Sequence, residues 1–82
     1  MDYPIKTPQQ LGAVLKGFRR ERKLTQSAAG ASVGLPQNAI SEMETNPGPA
    51  SLARIFKLIA ALDLELVVRS RTPPPNPTRD SW

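Results

Sequence analysis

Apolar residues in the first third of the chain recur at helical spacing. Leu11, Val14, Leu15 and Phe18 stand at i, i+3, i+4 and i+7, which places them on one stripe, while Lys16, Arg19, Arg20 and Lys23 flank or oppose it. The start of this helix is marked by Thr7-Pro8-Gln9-Gln10. There a hydroxyl can cap, a proline fits the first turn, and a glutamine stands three residues after the cap. A helix is expected from about residue 8 to residue 23. Thr25 then caps a short second helix that opens on Gln26 and is built from small residues, Ser27 to Ala31, which permit close packing. Gly34 ends it in a position suited to a left-handed backbone, and Pro36 presets the dihedral for a third helix reaching about Thr45. Asn46-Pro47-Gly48-Pro49 stops that helix.

Ser51 caps a fourth helix whose Leu52, Ile55, Phe56, Ile59 and Leu62 form the second large apolar stripe. At Leu64 the period changes. Leu64-Glu65-Leu66-Val67-Val68-Arg69 is short and rich in β-branched residues, with Leu64, Leu66 and Val68 on one side, as in a strand. A lone strand leaves its backbone groups unpaired, and pairing with the same strand of a second copy across a two-fold axis is the economical solution. From Thr72 onward four prolines in eleven residues deny both helix and sheet. The expected fold is all-α: an N-terminal arm (1–7), a compact four-helix domain (8–63), a dimerisation strand (64–70) and a flexible proline-rich tail (71–82) ending in Trp82. No internal repeat is present.

Composition narrows the function. Eighty-two residues, 39% of them apolar, fill one modest core and leave no room for an enzyme cleft. With no cysteine and no histidine there is neither a disulfide framework nor the ligand set of a structural zinc, and no cofactor is expected. No phosphate-cradling glycine loop and no convergent carboxylate pair suggests catalysis. The N-terminus lacks a signal-peptide pattern and no apolar run approaches a membrane span, so a soluble, cytoplasmic protein is expected.

The net charge is +4, and five of the eleven basic residues lie between Lys16 and Lys23. Such a run on its own is usually a solvated helix face. The segment from Leu24 to Glu44 gives the run another meaning, because two short helices joined at a tight turn can hold one helix across a phosphate backbone and aim the next into the major groove.

Thr25-Gln26, Gly34-Leu35 and Ile40-Ser41 with Glu44 beyond them resemble the signature of the Cro/phage-repressor class of helix-turn-helix domains, over roughly residues 10 to 62. Two departures stand out. Ala29-Gly30 replaces the usual Leu-Ala in the second helix, and Pro36 replaces a capping Ser or Thr, each at a cost of about 1 kcal/mol in local stability. Carried over position by position, the resemblance implies that Gln37, Asn38, Ser41 and Glu42 reach base edges. It further implies that Gln26 and Ser27 bond phosphate at the start of the second helix. Arg19, Arg20 and Lys23 would add phosphate attraction. Asn46 is either a left-handed C-cap or a further backbone contact. Ile40 and Met43 belong to the core.

The order of parts beyond the fourth helix, a short apolar strand, a polar tail and a terminal tryptophan, is similar to the HipB-type antitoxins. So are Ala39 to Asn46 and Ile55-Phe56-Lys57-Leu58 before Leu64-Glu65-Leu66, although where that family has a second asparagine before the proline this chain passes straight from Asn46 to Pro47. The resemblance implies a homodimer that binds a pseudo-palindromic operator, represses its own operon and neutralises a HipA-type serine/threonine kinase toxin, with Trp82 inserting into a pocket of the toxin. Two other readings stay open at this point. One is a stand-alone phage-repressor-like regulator without a toxin, and the other is a protein-interaction module that has lost DNA binding.

Overall fold

The computed structural model describes residues 3–70. Four helices succeed one another: α1 Pro8–Glu21, α2 Gln26–Ala31, α3 Gln37–Thr45 and α4 Leu52–Ala61. The expected start of α1 is present in full. Thr7 Oγ1 accepts from the Gln10 backbone N–H at 3.1 Å, and Gln10 Oε1 accepts from the Thr7 N–H at 3.2 Å. Thr25 and Ser51 cap α2 and α4 through the hydroxyl alone, accepting from the N–H groups of Ala28 and Arg54. Pro36 occupies the cap position of α3 with no side-chain hydrogen bond, and its carbonyl accepts from Ala39 and Ile40 instead.

One device closes three of the four helices. At Lys23, Gly34 and Asp63 the backbone turns left-handed, with φ of 59°, 74° and 57°. The next residue in each case donates its N–H back into the helix: Leu24 to the Arg19 carbonyl, Leu35 to Gly30, Leu64 to Ile59. Each of these donors is a leucine in or against the core. Only Gly34 is legible in the sequence as a helix stop, which is why α1 ends two residues before the expected boundary. Lysine and aspartate adopt the same turn at a steric cost that the packing of Leu24 and Leu64 offsets.

α3 lies against both α1 and α2, and α4 against α2. The core consists of Leu15, Ala29, Leu35, Ala39, Ile40, Met43, Ile55, Leu58, Ile59 and Leu62, with Leu11, Phe18, Leu24, Val33, Ala50 and Leu64 packed against it. Ile40 and Met43 are interior, as expected. On α4 the buried stripe runs through Leu58 rather than through Leu52 and Phe56, which are 67% and 44% exposed. Both sets satisfy helical spacing around Ile55, Ile59 and Leu62. The position of α2 decides which flank is covered. At the other end, Tyr3 meets Phe18 edge to face at 5.5 Å and ties the N-terminal arm to α1.

Residues 64–70 come after α4 and, within the described single chain, pair with no strand. Leu64 is half-buried against the chain's own core, whereas Leu66, Val67 and Val68 are exposed. The tail from residue 71, Trp82 included, lies outside the described residues. No helix among those described is long and apolar enough to cross a membrane.

Candidate nucleic-acid interface

The first turn of α3 begins immediately after the Gly34 turn and faces outward. Gln37, Asn38 and Glu42 are exposed and Ser41 is half-buried, while Ala39, Ile40, Met43 and Glu44 on the opposite side are buried. This is the division a reading helix needs, with a core face that fixes its position and a polar face of amides and a hydroxyl. Gln26, at the first position of α2, reaches across to this turn, and Gln37 Nε2 donates to Gln26 Oε1 at 3.1 Å. Ser27 is exposed beside it.

The charge run from Lys16 to Lys23 divides in two. Lys16, Arg20 and Lys23 are exposed, and Arg22 stacks 5.2 Å over the Phe18 ring. Arg19 does not belong with them. It is 8% exposed, and its Nε and Nη2 donate to the carboxylate of Glu44, itself 6% exposed, at 2.5 and 3.1 Å, while Nη1 donates to the Leu24 carbonyl at 2.7 Å. The expectation that Arg19 attracts phosphate is therefore corrected. Its position is i+4 from Leu15, on the core side of α1, and its charge is satisfied inside the domain. Asn46 is corrected in part as well. Its φ of −149° excludes the left-handed cap, and its N–H donates to the Glu42 carbonyl at the end of α3.

In the sequence Glu44 stands only as part of a signature, and the structure gives it a partner on either side. Besides Arg19 it accepts from Gln26 Nε2 at 3.0 Å. A continuous polar chain thus runs Arg19, Glu44, Gln26, Gln37, from the interior to the exposed turn of α3. Spacing offers a signal for it. Glu44 is i+4 from the buried Ile40 just as Arg19 is i+4 from the buried Leu15, so two opposite charges stand on core-facing positions of helices that pack together.

Fold and surface together define a helix-turn-helix domain of the Cro/phage-repressor class, and the family model described as helix-turn-helix matches residues 15–68. Over 64 residues the chain is 34% identical to the antitoxin HipB of Escherichia coli O6:H1, covering 78% of this chain and 68% of that protein, and 33% identical to HipB of E. coli K12, covering 78% and 73%. The chain belongs to the helix-turn-helix family and, within it, to the HipB-type antitoxins. Among solved structures it is similar to a HipB variant in an O2 20mer complex, with a TM-score of 0.84 at 28% identity over 88% of this chain and all of that one. It is similar to the same degree to HipB in a HipA-HipB-O2-O3 complex, with a TM-score of 0.83 at 30% identity over 87% of this chain and all of that one.

Proposed function

We propose that the protein is a dimeric DNA-binding antitoxin that represses its own operon and neutralises a HipA-type serine/threonine kinase. The observation that carries the DNA part is the amide-bearing first turn of α3, held outward by a buried opposite face and braced by Gln26 from α2. Gln37 and Asn38 take the base edges, with Ser41 and Glu42 one turn further along. Glu42, being acidic, is suited to accept from cytosine N4. Gln26 keeps one amide hydrogen beyond its bond to Glu44, and with Ser27, Arg20, Lys23 and Asn46 it serves the phosphates. The toxin part is supported by the family and by the presence of HipA beside HipB in a solved neighbour. Trp82 enters it through the resemblance alone.

The test is titration of the full-length protein against the duplex upstream of its own coding sequence and against a scrambled duplex, at two salt concentrations. Selective binding that weakens steeply with salt is expected, because phosphate contacts release counterions. Equal, weak binding to both duplexes would remove the DNA reading. Replacing Gln37 and Asn38 together by alanine should lower selective affinity by about 30-fold or more, since each good base contact discriminates by about 1–3 kcal/mol. Binding to the scrambled duplex should change little.

Dimerisation is assigned to the segment after α4. Leu66 and Val68 are 50% and 90% exposed in the single chain, and a second copy in antiparallel register would bury them and pair their backbone groups. Leu64, packed on its own core, contributes at the edge of this interface. Lysine at both 66 and 68 should give monomers in sedimentation experiments with the helical signal retained, and should weaken binding to a two-half-site duplex. Surviving dimers would place the interface elsewhere.

A further inference from the structure

The outer side of α1 carries a feature that the reading turn does not use. Ala13 and Gly17, one turn apart, give a floor without bulk, walled by Val14, Phe18 and Tyr3 and closed at one end by Glu21, around a groove of about 290 Å³. A Cβ on Gly17 would meet nothing within 4 Å. Two of the walls are aromatic, since Tyr3, 48% exposed, meets the Phe18 ring edge to face. The rim carries both signs of charge. Arg22 lies over the Phe18 ring, and its Nη1 stands 3.7 Å from the Glu21 carboxylate, too far for a hydrogen bond, with 72% of the Glu21 side chain open to solvent. An aromatic groove with an anion and a cation at its edge fits a flat aromatic side chain that has a base and an acid close to it in sequence.

The chain carries one such segment, Arg79-Asp80-Ser81-Trp82, whose indole is the sole one in the sequence. Residues 71–82 reach over at most about 40 Å when fully drawn out. The short axes of the described structure measure 24 and 20 Å, so the groove is within that reach. We propose that Trp82 docks in this groove of its own chain, between Tyr3 and Phe18 over the Gly17 floor, with Arg79 toward Glu21 and Asp80 toward Arg22. A second apolar groove, which runs from Pro8 and Leu11 to Leu52 and Ile55, has no aromatic and no charged residue in its lining to select this segment. Tethering keeps the indole at about millimolar concentration around the domain, so a contact of only millimolar strength is occupied about half of the time. On the reading of Trp82 as the toxin's contact, the groove competes with the toxin for it and lowers the apparent affinity about twofold. The docking itself does not depend on that reading.

With a single tryptophan in the sequence, fluorescence reads the contact directly in the full-length protein, excited where Tyr3 does not absorb. Wild type should emit further to the blue than the same chain unfolded in urea. Acrylamide should reach its indole about twofold less well than in Ala13→Arg, as a half-occupied contact requires. Ala13 is exposed, so arginine there fills the floor from the solvent side, and helical circular dichroism should match wild type. Glu21→Lys, which reverses the charge set against Arg79, should raise quenching in the same direction. Lys16→Gln, exposed and outside the groove lining, should leave emission and quenching unchanged. The contact should persist in the Leu66→Lys, Val68→Lys variant designed to separate two copies. Wild-type emission equal to that of the urea-unfolded chain would overturn the proposal, as would quenching that Ala13→Arg leaves untouched. A blue shift lost on separating the copies would put the indole on a second copy, and one abolished by Leu52→Gln would put it in the other groove; either result overturns it as well.

Discussion

Glu44→Ala should destabilise the domain by about 3–5 kcal/mol, because it strands the Arg19 guanidinium in the interior with one carbonyl for company. For a chain of this size total stability is about 4–12 kcal/mol, so the variant should melt at much lower temperature and be partly unfolded at physiological temperature. Urea denaturation read by helical circular dichroism measures this directly. A loss below about 1 kcal/mol would mean that the pair is open to water, as exposed ion pairs are. The reverse experiment is as informative. Arg19→Met combined with Glu44→Leu removes both charges and leaves a volume that apolar side chains fill, and such replacements are often neutral or stabilising. That double variant should fold about as well as wild type and yet lack the carboxylate that orients Gln26. Retained stability with relaxed base preference would separate what the ion pair does for the fold from what it does for the reading turn. A double variant as selective as wild type would show that the α2 and α3 backbones alone position Gln37.

Much of this architecture is legible in the sequence because local signals agree with one another. Thr7, Thr25 and Ser51 each cap a helix as their positions in the sequence indicate, and Gly34 makes the left-handed turn that only its lack of a Cβ advertises. The outward amides of α3 come from the motif and from the apolar spacing of Ile40 and Met43. What escapes is nonlocal. Whether Leu52 and Phe56 or Leu58 face the core depends on where α2 lies, which no periodicity within α4 encodes. The burial of Arg19 depends on Glu44, 25 residues away, and a basic run read as a charge density conceals the member that turns inward. Lys23 and Asp63 end their helices in a geometry that sequence statistics reserve for glycine, because the leucine next to each has a core position to fill. Residues 64–69 have a strand-like pattern and yet pair with no strand in the described single chain, because a strand forms only with a partner that local alternation does not supply.

Gly30→Val should destabilise by about 3 kcal/mol or more, at the upper end of what overpacking costs, and this reverses the expectation from helix propensity. Taken as a local departure, a glycine in the middle of α2 costs about 1 kcal/mol relative to alanine, and any side chain there should help. The structure places the Leu35 carbonyl oxygen 2.3 Å from where a Cβ on Gly30 would stand, with Ile40 Cγ1 at 3.2 Å. The obstacle is backbone, and it belongs to the turn that joins α2 to α3: the Leu35 N–H donates to the Gly30 carbonyl at 2.9 Å, closing the loop directly over this residue. A Cβ must push that turn away, and with it the start of α3 and Gln37. Gly17 on α1 supplies the control, since a Cβ there meets nothing within 4 Å. Gly17→Val should leave stability within about 0.5 kcal/mol of wild type or raise it slightly, as the weak β-branched penalty is smaller than that of glycine. Equal effects at the two positions would mean that the turn yields freely. Unequal effects in the expected sense, with loss of selective DNA binding confined to the Gly30 variant, would show that close approach at one small residue sets the distance between the supporting helix and the reading one.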